Sequence, residues 1–131
     1  MSQYIVTKKN QLKEMGASIE SGVKKAVLMN GNWKGDYASG VVVVDSVKGR
    51  FEIHDKMRDV WYILSGRGKF SFGGNMQKTE SPREGEWLSD SSEGAEIIDV
   101  EAGDIIDIPP GIPHRVETDG RMETFIVKVP A

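Results

Sequence analysis

The chain has 131 residues, of which 38% are hydrophobic and 28% charged, and its formal net charge is −3 at pH 7. These values are typical of one globular domain, and the acidic balance gives no support to a nucleic-acid partner. The sequence contains no cysteine, which excludes disulfides, thiolate metal sites and cysteine nucleophiles. No apolar run reaches the roughly 20 residues that span a membrane, and the first residues lack a signal-peptide segment, so we expect a cytoplasmic protein without a membrane partner.

The first 25 residues differ from the rest of the chain and predict a short helix. Thr7 is of a type that caps helices. The apolar residues that follow it at helical spacing are Leu12, Met15, Ile19 and Val23. We therefore expect residues 1–25 to form a helical segment outside a single domain that comprises residues 26–131.

After this segment the sequence has the pattern of short strands separated by glycine, asparagine and proline turns. The predicted strands cover residues 25–29, 40–45, 50–54, 59–64, 69–72, 95–100, 103–108, 114–118 and 123–129. Four consecutive valines at 41–44 predict a strand that is buried on both faces. Residues 75–93 are polar and long for a connection, so we expect either a lid or a mobile surface insertion, with Trp87 able to pack over a pocket. The pattern as a whole predicts an all-β sandwich or barrel.

Two histidines end strand-like segments. The stretch from Gly103 to His114 combines an apolar run with Pro109, Pro110, Gly111 and Pro113, and it presents His114 on a stiff turn. His54 is the other histidine of the chain. We expect the two side chains to meet in one pocket.

The spacing of Gly103, Pro109, Gly111 and His114 resembles the second motif of the cupins. That motif reads Gly, five residues, Pro, one residue, Gly, two residues, His, three residues, Asn, and the chain departs from it only at Thr118. The resemblance covers roughly residues 25 to 130 and is to small single-domain bacterial cupins. It implies a double-stranded β-helix, a jelly-roll barrel, with the short helix at its N-terminal side.

The first cupin motif reads Gly, five residues, His-x-His, three or four residues, Glu, six residues, Gly. With His54 as the first histidine, Gly49 precedes it by one residue fewer than the motif requires, and Lys56 replaces the second histidine. Asp59 takes the place of the glutamate in a strand that ends before Gly66.

The resemblance implies one divalent metal held by His54, Asp59 and His114. Two imidazoles and one carboxylate suit iron, and manganese, nickel and zinc accept similar ligands, so the identity of the metal stays open. Asp59 could instead serve only as a turn residue. Lys56 lies two positions from His54 and should point to the same side of the strand. Because a protonated amine beside a divalent cation is unfavourable, Lys56 either swings outward or loses its proton and acts as a general base. Lys56 and Tyr62 are the catalytic candidates, and core packing is the alternative role for the aromatic pair Trp61 and Tyr62.

Two functions follow from this reading. One is a metal-dependent enzyme that acts on a small organic molecule, by isomerase, cyclase or lyase chemistry or as a non-haem oxygenase. The other is a non-catalytic cupin that binds or senses a small ligand and has a degenerate metal site. By resemblance we also expect a homodimer to which residues 1–35 contribute.

Overall fold

The computed structural model of the protein describes residues 4–131, and these form two antiparallel sheets with one helix packed outside them. The helix α1 spans Lys9–Ala17. The strands are β1 Lys24–Gly31, β2 Ala38–Asp45, β3 Phe51–His54, β4 Met57–Ser65, β5 Arg67–Phe72, β6 Glu80–Arg83, β7 Glu86–Ser89, β8 Glu96–Glu101, β9 Ile105–Ile108, β10 His114–Glu117 and β11 Arg121–Pro130. The prediction of an all-β chain with a short N-terminal helix is confirmed.

The first sheet has the strand order β1-β2-β11-β4-β9, and the second has the order β6-β7-β3-β10-β5-β8. Their inner faces enclose one apolar core, in which Trp61 and Phe70 pack edge to face at 5.3 Å between ring centroids. Other buried members of this core are Val42, Val44, Ile63, Val100, Ile106, Ile108, Val116, Met122 and Ile126.

The valine run of β2 is buried on both faces, as predicted. Val42 and Val44 face the core between the sheets, whereas Val41 and Val43 pack with Ile19 beneath the N-terminal segment. The guanidinium of Arg121 donates to the carbonyl oxygens at Gly16 and Ile19, at 2.7 and 3.1 Å, and so fastens the end of α1 to β11.

Residues 75–93, expected to be a lid or a mobile insertion, contain β6 and β7, and β7 pairs with β3. Trp87 packs against a second apolar cluster, formed by Phe51, Ile53 and Met76 on the outer face of the second sheet. A role for the segment as a lid stays a prediction. The polar composition of the segment concealed the few apolar residues that anchor it.

The strand register places polar residues together at one end of the core. Across the first sheet one inward row consists of Ala38, Lys128, Asp59 and Ile108, and the next row consists of Gly40, Ile126, Trp61 and Ile106. In the second sheet His114 pairs with Glu52 and His54 pairs with Glu86. Ionisable side chains from both sheets therefore face one another directly beyond the apolar core. None of the described residues belongs to a helix long and apolar enough to cross a membrane.

Candidate metal centre

The two histidines lie side by side between the sheets. His54 ends β3 and His114 begins β10, and their ring centroids are 5.0 Å apart. Both residues are buried, with relative exposures of 7% and 3%.

Glu52 is the carboxylate that sequence reasoning did not select. Because side chains alternate along a strand, Glu52 and His54 project from the same face of β3. One ligand atom from each of Glu52, His54 and His114 can be chosen so that all three lie within 4.8 Å of one another. Two imidazoles and a carboxylate thus converge from adjacent strands.

The imidazole of His114 is oriented for a ligand. Its Nδ1 lies 3.0 Å from the carbonyl oxygen of Ile112 and donates a hydrogen bond to it. Its Nε2 is buried and has no hydrogen-bond partner among the described residues. Burial, together with the nearby charge of His54, lowers the pKa of His114, so the ring is neutral and carries a lone pair on Nε2. An oriented neutral imidazole with a free buried nitrogen is the arrangement that metal-binding histidines use.

His54 is held by two carboxylates. Its Nε2 lies 3.1 Å from Asp59 Oδ2, and its Nδ1 lies 2.7 Å from Glu86 Oε1. Burial by itself would lower the pKa of His54, but the hydrogen bonds to Asp59 and Glu86 outweigh it and raise the pKa to about 9. The same ion pair, with the charge of Lys128, overcomes burial at Asp59 and lowers its pKa to about 2.

Lys128 places a second positive charge, after that of His54, beside Asp59. Its ammonium group donates to Asp59 Oδ1 at 2.7 Å and lies 3.3 Å from Nε2 of His54. Because Lys128 and Asp59 are cross-strand partners of β11 and β4, the contact follows directly from the register. Glu52, in turn, lies 4.0 Å from the ammonium of Lys24, and the charges around it lower its pKa although burial opposes this.

Of the predicted site residues, the structure brings together His54, Asp59 and His114. Asp59 Oδ2 lies 3.1 Å from Nε2 of His54 and 3.7 Å from Nε2 of His114. Lys56 is exposed, and Tyr62 is 42% exposed on the outer face of the first sheet, so neither side chain joins the cluster. A catalytic role for these two residues stays a prediction.

The positions of Glu52 and Lys56 correct the match to the first cupin motif. Counting back from Gly66, six intervening residues lead to Asp59, and four further intervening residues lead to His54. Glu52 and His54 therefore occupy the two histidine positions of the motif. The glycine position is then Ser46, which is the one non-glycine residue with a positive φ, 55°, in the described part of the chain. Lys56 does not stand where the second histidine belongs. This spacing was present in the sequence and would have identified Glu52.

A cleft of about 800 Å³ lies at the opposite end of the barrel, around the β4–β5 and β10–β11 turns. Charged side chains of both signs dominate its lining, among them Arg67, Lys69, Glu117 and Asp119, and the histidine cluster contributes nothing to it. The cluster is the better candidate for chemistry, because buried ionisable groups with shifted pKa values are typical of functional sites.

Solved structures share this architecture, although no protein-family model and no curated protein matches the chain. An uncharacterized conserved protein with a double-stranded β-helix domain from Klebsiella pneumoniae has a TM-score of 0.66 at 16% identity, over 99% of this chain and 91% of that one. A Cupin 2 conserved barrel domain protein from Salinispora arenicola has a TM-score of 0.56 at 17% identity, over 100% and 92%. DMSP lyase DddQ from Ruegeria pomeroyi has a TM-score of 0.57 at 19% identity, over 81% of this chain and 46% of that one.

These similarities show the fold. The chain has the cupin fold, the double-stranded β-helix, which confirms the resemblance seen in the sequence. The cluster of Glu52, His54 and His114 could hold a metal ion in this barrel. The donor set fits a divalent transition metal, because two imidazoles and one carboxylate are ligands that such ions accept, and His54 would release its Nε2 proton on binding.

Proposed function

We propose that this protein binds one divalent transition metal through Glu52, His54 and His114 and acts on a small organic molecule at that end of the barrel. The observation that carries the proposal is the buried Nε2 of His114, which has no partner among the described residues while two further ligand groups lie within 4.8 Å. A buried polar atom without a partner is costly, and an ion between the three groups would remove that cost.

Asp59 stays a predicted ligand. Its carboxylate faces Nε2 of both histidines, at 3.1 and 3.7 Å, but it also forms an ion pair with Lys128. The carboxylate of Glu52 forms no ion pair as short as the 2.7 Å contact between Asp59 and Lys128, since its nearest cation, the ammonium of Lys24, lies 4.0 Å away. We therefore assign Glu52 as the carboxylate ligand of the proposed site, whereas Asp59 balances the cationic side chains and remains a predicted further ligand.

A bound divalent ion would polarise a carbonyl or enolate oxygen of the substrate, or activate water or oxygen. The chain's own contribution is to orient His114 through the carbonyl of Ile112 and to hold His54 through Glu86. Isomerase, cyclase or lyase chemistry and non-haem oxygenation remain the reaction classes proposed, and one of the similar structures is described as a lyase. A shared fold does not choose among them.

A second candidate is a non-catalytic cupin-fold protein that binds a small ligand without a metal. The observation that favours it is the ammonium of Lys128, which already supplies a positive charge 3.3 Å from Nε2 of His54. In such a protein Lys128, and not a metal ion, would attract a negatively charged ligand.

Metal titration of the protein freed of metal separates the two candidates. Isothermal titration with Zn²⁺, Mn²⁺, Fe²⁺ and Ni²⁺ should give one site per chain, and Glu52→Gln and His114→Ala should each weaken binding by about tenfold or more. The matched control is Glu84→Gln, the same chemical change at an exposed glutamate, which should leave binding unchanged. Absence of saturable binding for all four ions would reject the metal-dependent function and leave the second candidate.

We also propose a homodimer and a cytoplasmic location. The apolar residues Tyr4, Ile5 and Val6 are each more than 60% exposed beside β1, an edge strand of the first sheet. Light scattering that gives a particle of 14.5 kDa, the mass of one chain, would reject the dimer.

A further inference from the structure

We infer that Lys128 is a built-in competitor for the metal, so that an ion binds only by displacing the ammonium group from His54 and Asp59. The inference rests on the proposed function, because it requires an ion at Glu52, His54 and His114. It adds Lys128 as a residue that sets how tightly the ion is held, although Lys128 contributes no ligand atom.

The competition follows from which atoms are in contact. Nδ1 of His54 is bonded to Glu86 at 2.7 Å, so Nε2 is the nitrogen left to face an ion. The ammonium of Lys128 lies 3.3 Å from that same Nε2 and 2.7 Å from Asp59 Oδ1. A metal ion binds an imidazole nitrogen at about 2.0–2.1 Å, and a second cation beside it would be repelled. The ion and the ammonium therefore exclude each other at this nitrogen.

The position of Lys128 is determined by the fold. Lys128 faces inward on β11 in line with Ile126 and Thr124, which are buried, and it pairs across the strands with Asp59 and Ala38. The side chain of Lys128 is 17% exposed, so the ammonium can move toward solvent when an ion binds. The residue is thus a displaceable occupant and not a permanent block.

The ion pair also gives the buried carboxylate of Asp59 a compensating charge. Asp59 is 1% exposed, and a carboxylate buried to this degree needs a compensating charge. Lys128 supplies that charge in the metal-free protein. An ion that displaces Lys128 takes over the same role, so the site exchanges one cation for another and binding is weaker than the ligands alone would give.

The test is Zn²⁺ titration by calorimetry, at one pH and in one buffer, of metal-free wild type and Lys128→Met. Methionine preserves the length of the side chain and removes the charge, so Zn²⁺ should bind about tenfold to a hundredfold more tightly. The matched control is Lys13→Met, the same chemical change at an exposed lysine on the outer helix α1. That variant should change the affinity by less than about threefold.

A second readout is independent of metal. Lys128→Met should unfold at lower urea than wild type when both are free of metal, because Asp59 loses one of its two cationic partners. Zn²⁺ should restore more stability to the variant than to wild type. Lys128→Gln, checked by circular dichroism, provides the same comparison if the methionine variant does not fold.

The outcomes separate this inference from the proposed function. Equal Zn²⁺ affinity in wild type and Lys128→Met, with binding still lost in His114→Ala, overturns the inference and leaves the metal site intact. Equal tightening by Lys13→Met overturns it too, since a general charge effect would then suffice. If wild type binds no Zn²⁺ but Lys128→Met does, and His114→Ala abolishes that binding, Lys128 is the competitor and the proposed function fails for the natural chain. No binding in any variant overturns both.

Discussion

The ion pair of His54 predicts how the stability of the metal-free protein changes with pH. The folded protein raises the pKa of His54 from 6.5 to about 9, so its contribution to stability is complete below pH 6.5 and is lost as the pH rises through 9. A pKa difference of about 2.5, at about 1.36 kcal/mol for each pKa unit, corresponds to a loss of unfolding free energy on the order of 3 kcal/mol. His54 is 7% exposed, so solvent does little to screen the pair.

The assay is urea unfolding in the presence of a chelator at several pH values from 6 to 9.5. Wild type should lose stability steadily over this range, whereas His54→Gln, which cannot carry the charge, should be less stable at pH 6 and should change little. His114→Gln is the control: the folded protein lowers the pKa of His114, so this variant should retain the alkaline loss. An equally steep alkaline loss in His54→Gln would refute the reasoning.

Two predictions concern the frame that holds the site. A Cβ at Gly40 would collide with the carbonyl oxygen of Val27 and lie 2.9 Å from the ring of Trp33, so Gly40→Ala should cost about 1–3 kcal/mol in urea unfolding. Gly120→Ala meets nothing within 4 Å and should cost far less; equal losses would contradict the steric account. Arg121→Gln should remove the hydrogen bonds to Gly16 and Ile19, so hydrogen exchange in α1 should accelerate while β11 stays protected, and acceleration throughout the barrel would show that this contact does not act locally.

The sequence was sufficient for the architecture because its signals are local. The valines of β2 predicted burial on both faces, and Gly103 to His114 gave the strand and turn that place His114. The alternation of β3 also placed Glu52 on the face of His54, so this carboxylate could have been selected from the sequence. A match of the motif that starts from Gly66 selects Glu52, whereas a match that starts from Gly49 passes over it.

Two residues beside the histidines, Glu86 and Lys128, reach the site through contacts between distant segments. Glu86 reaches His54 because β7 pairs with β3, and the polar sequence around Glu86 gave no sign of that pairing. Lys128 left a weak signal, since it continues the inward row of Thr124 and Ile126, where a charge is unexpected. Its contact with Asp59 requires the register of β11 on β4, which local patterns do not specify.

The most direct test of the central claim is the metal content of the protein, measured by mass spectrometry after purification without a tag or added metal. A divalent transition metal should be bound to wild type and to Glu84→Gln, and it should be lost from Glu52→Gln and from His114→Ala. Negligible metal in all four proteins, or equal metal in all four, would contradict a site formed by Glu52, His54 and His114.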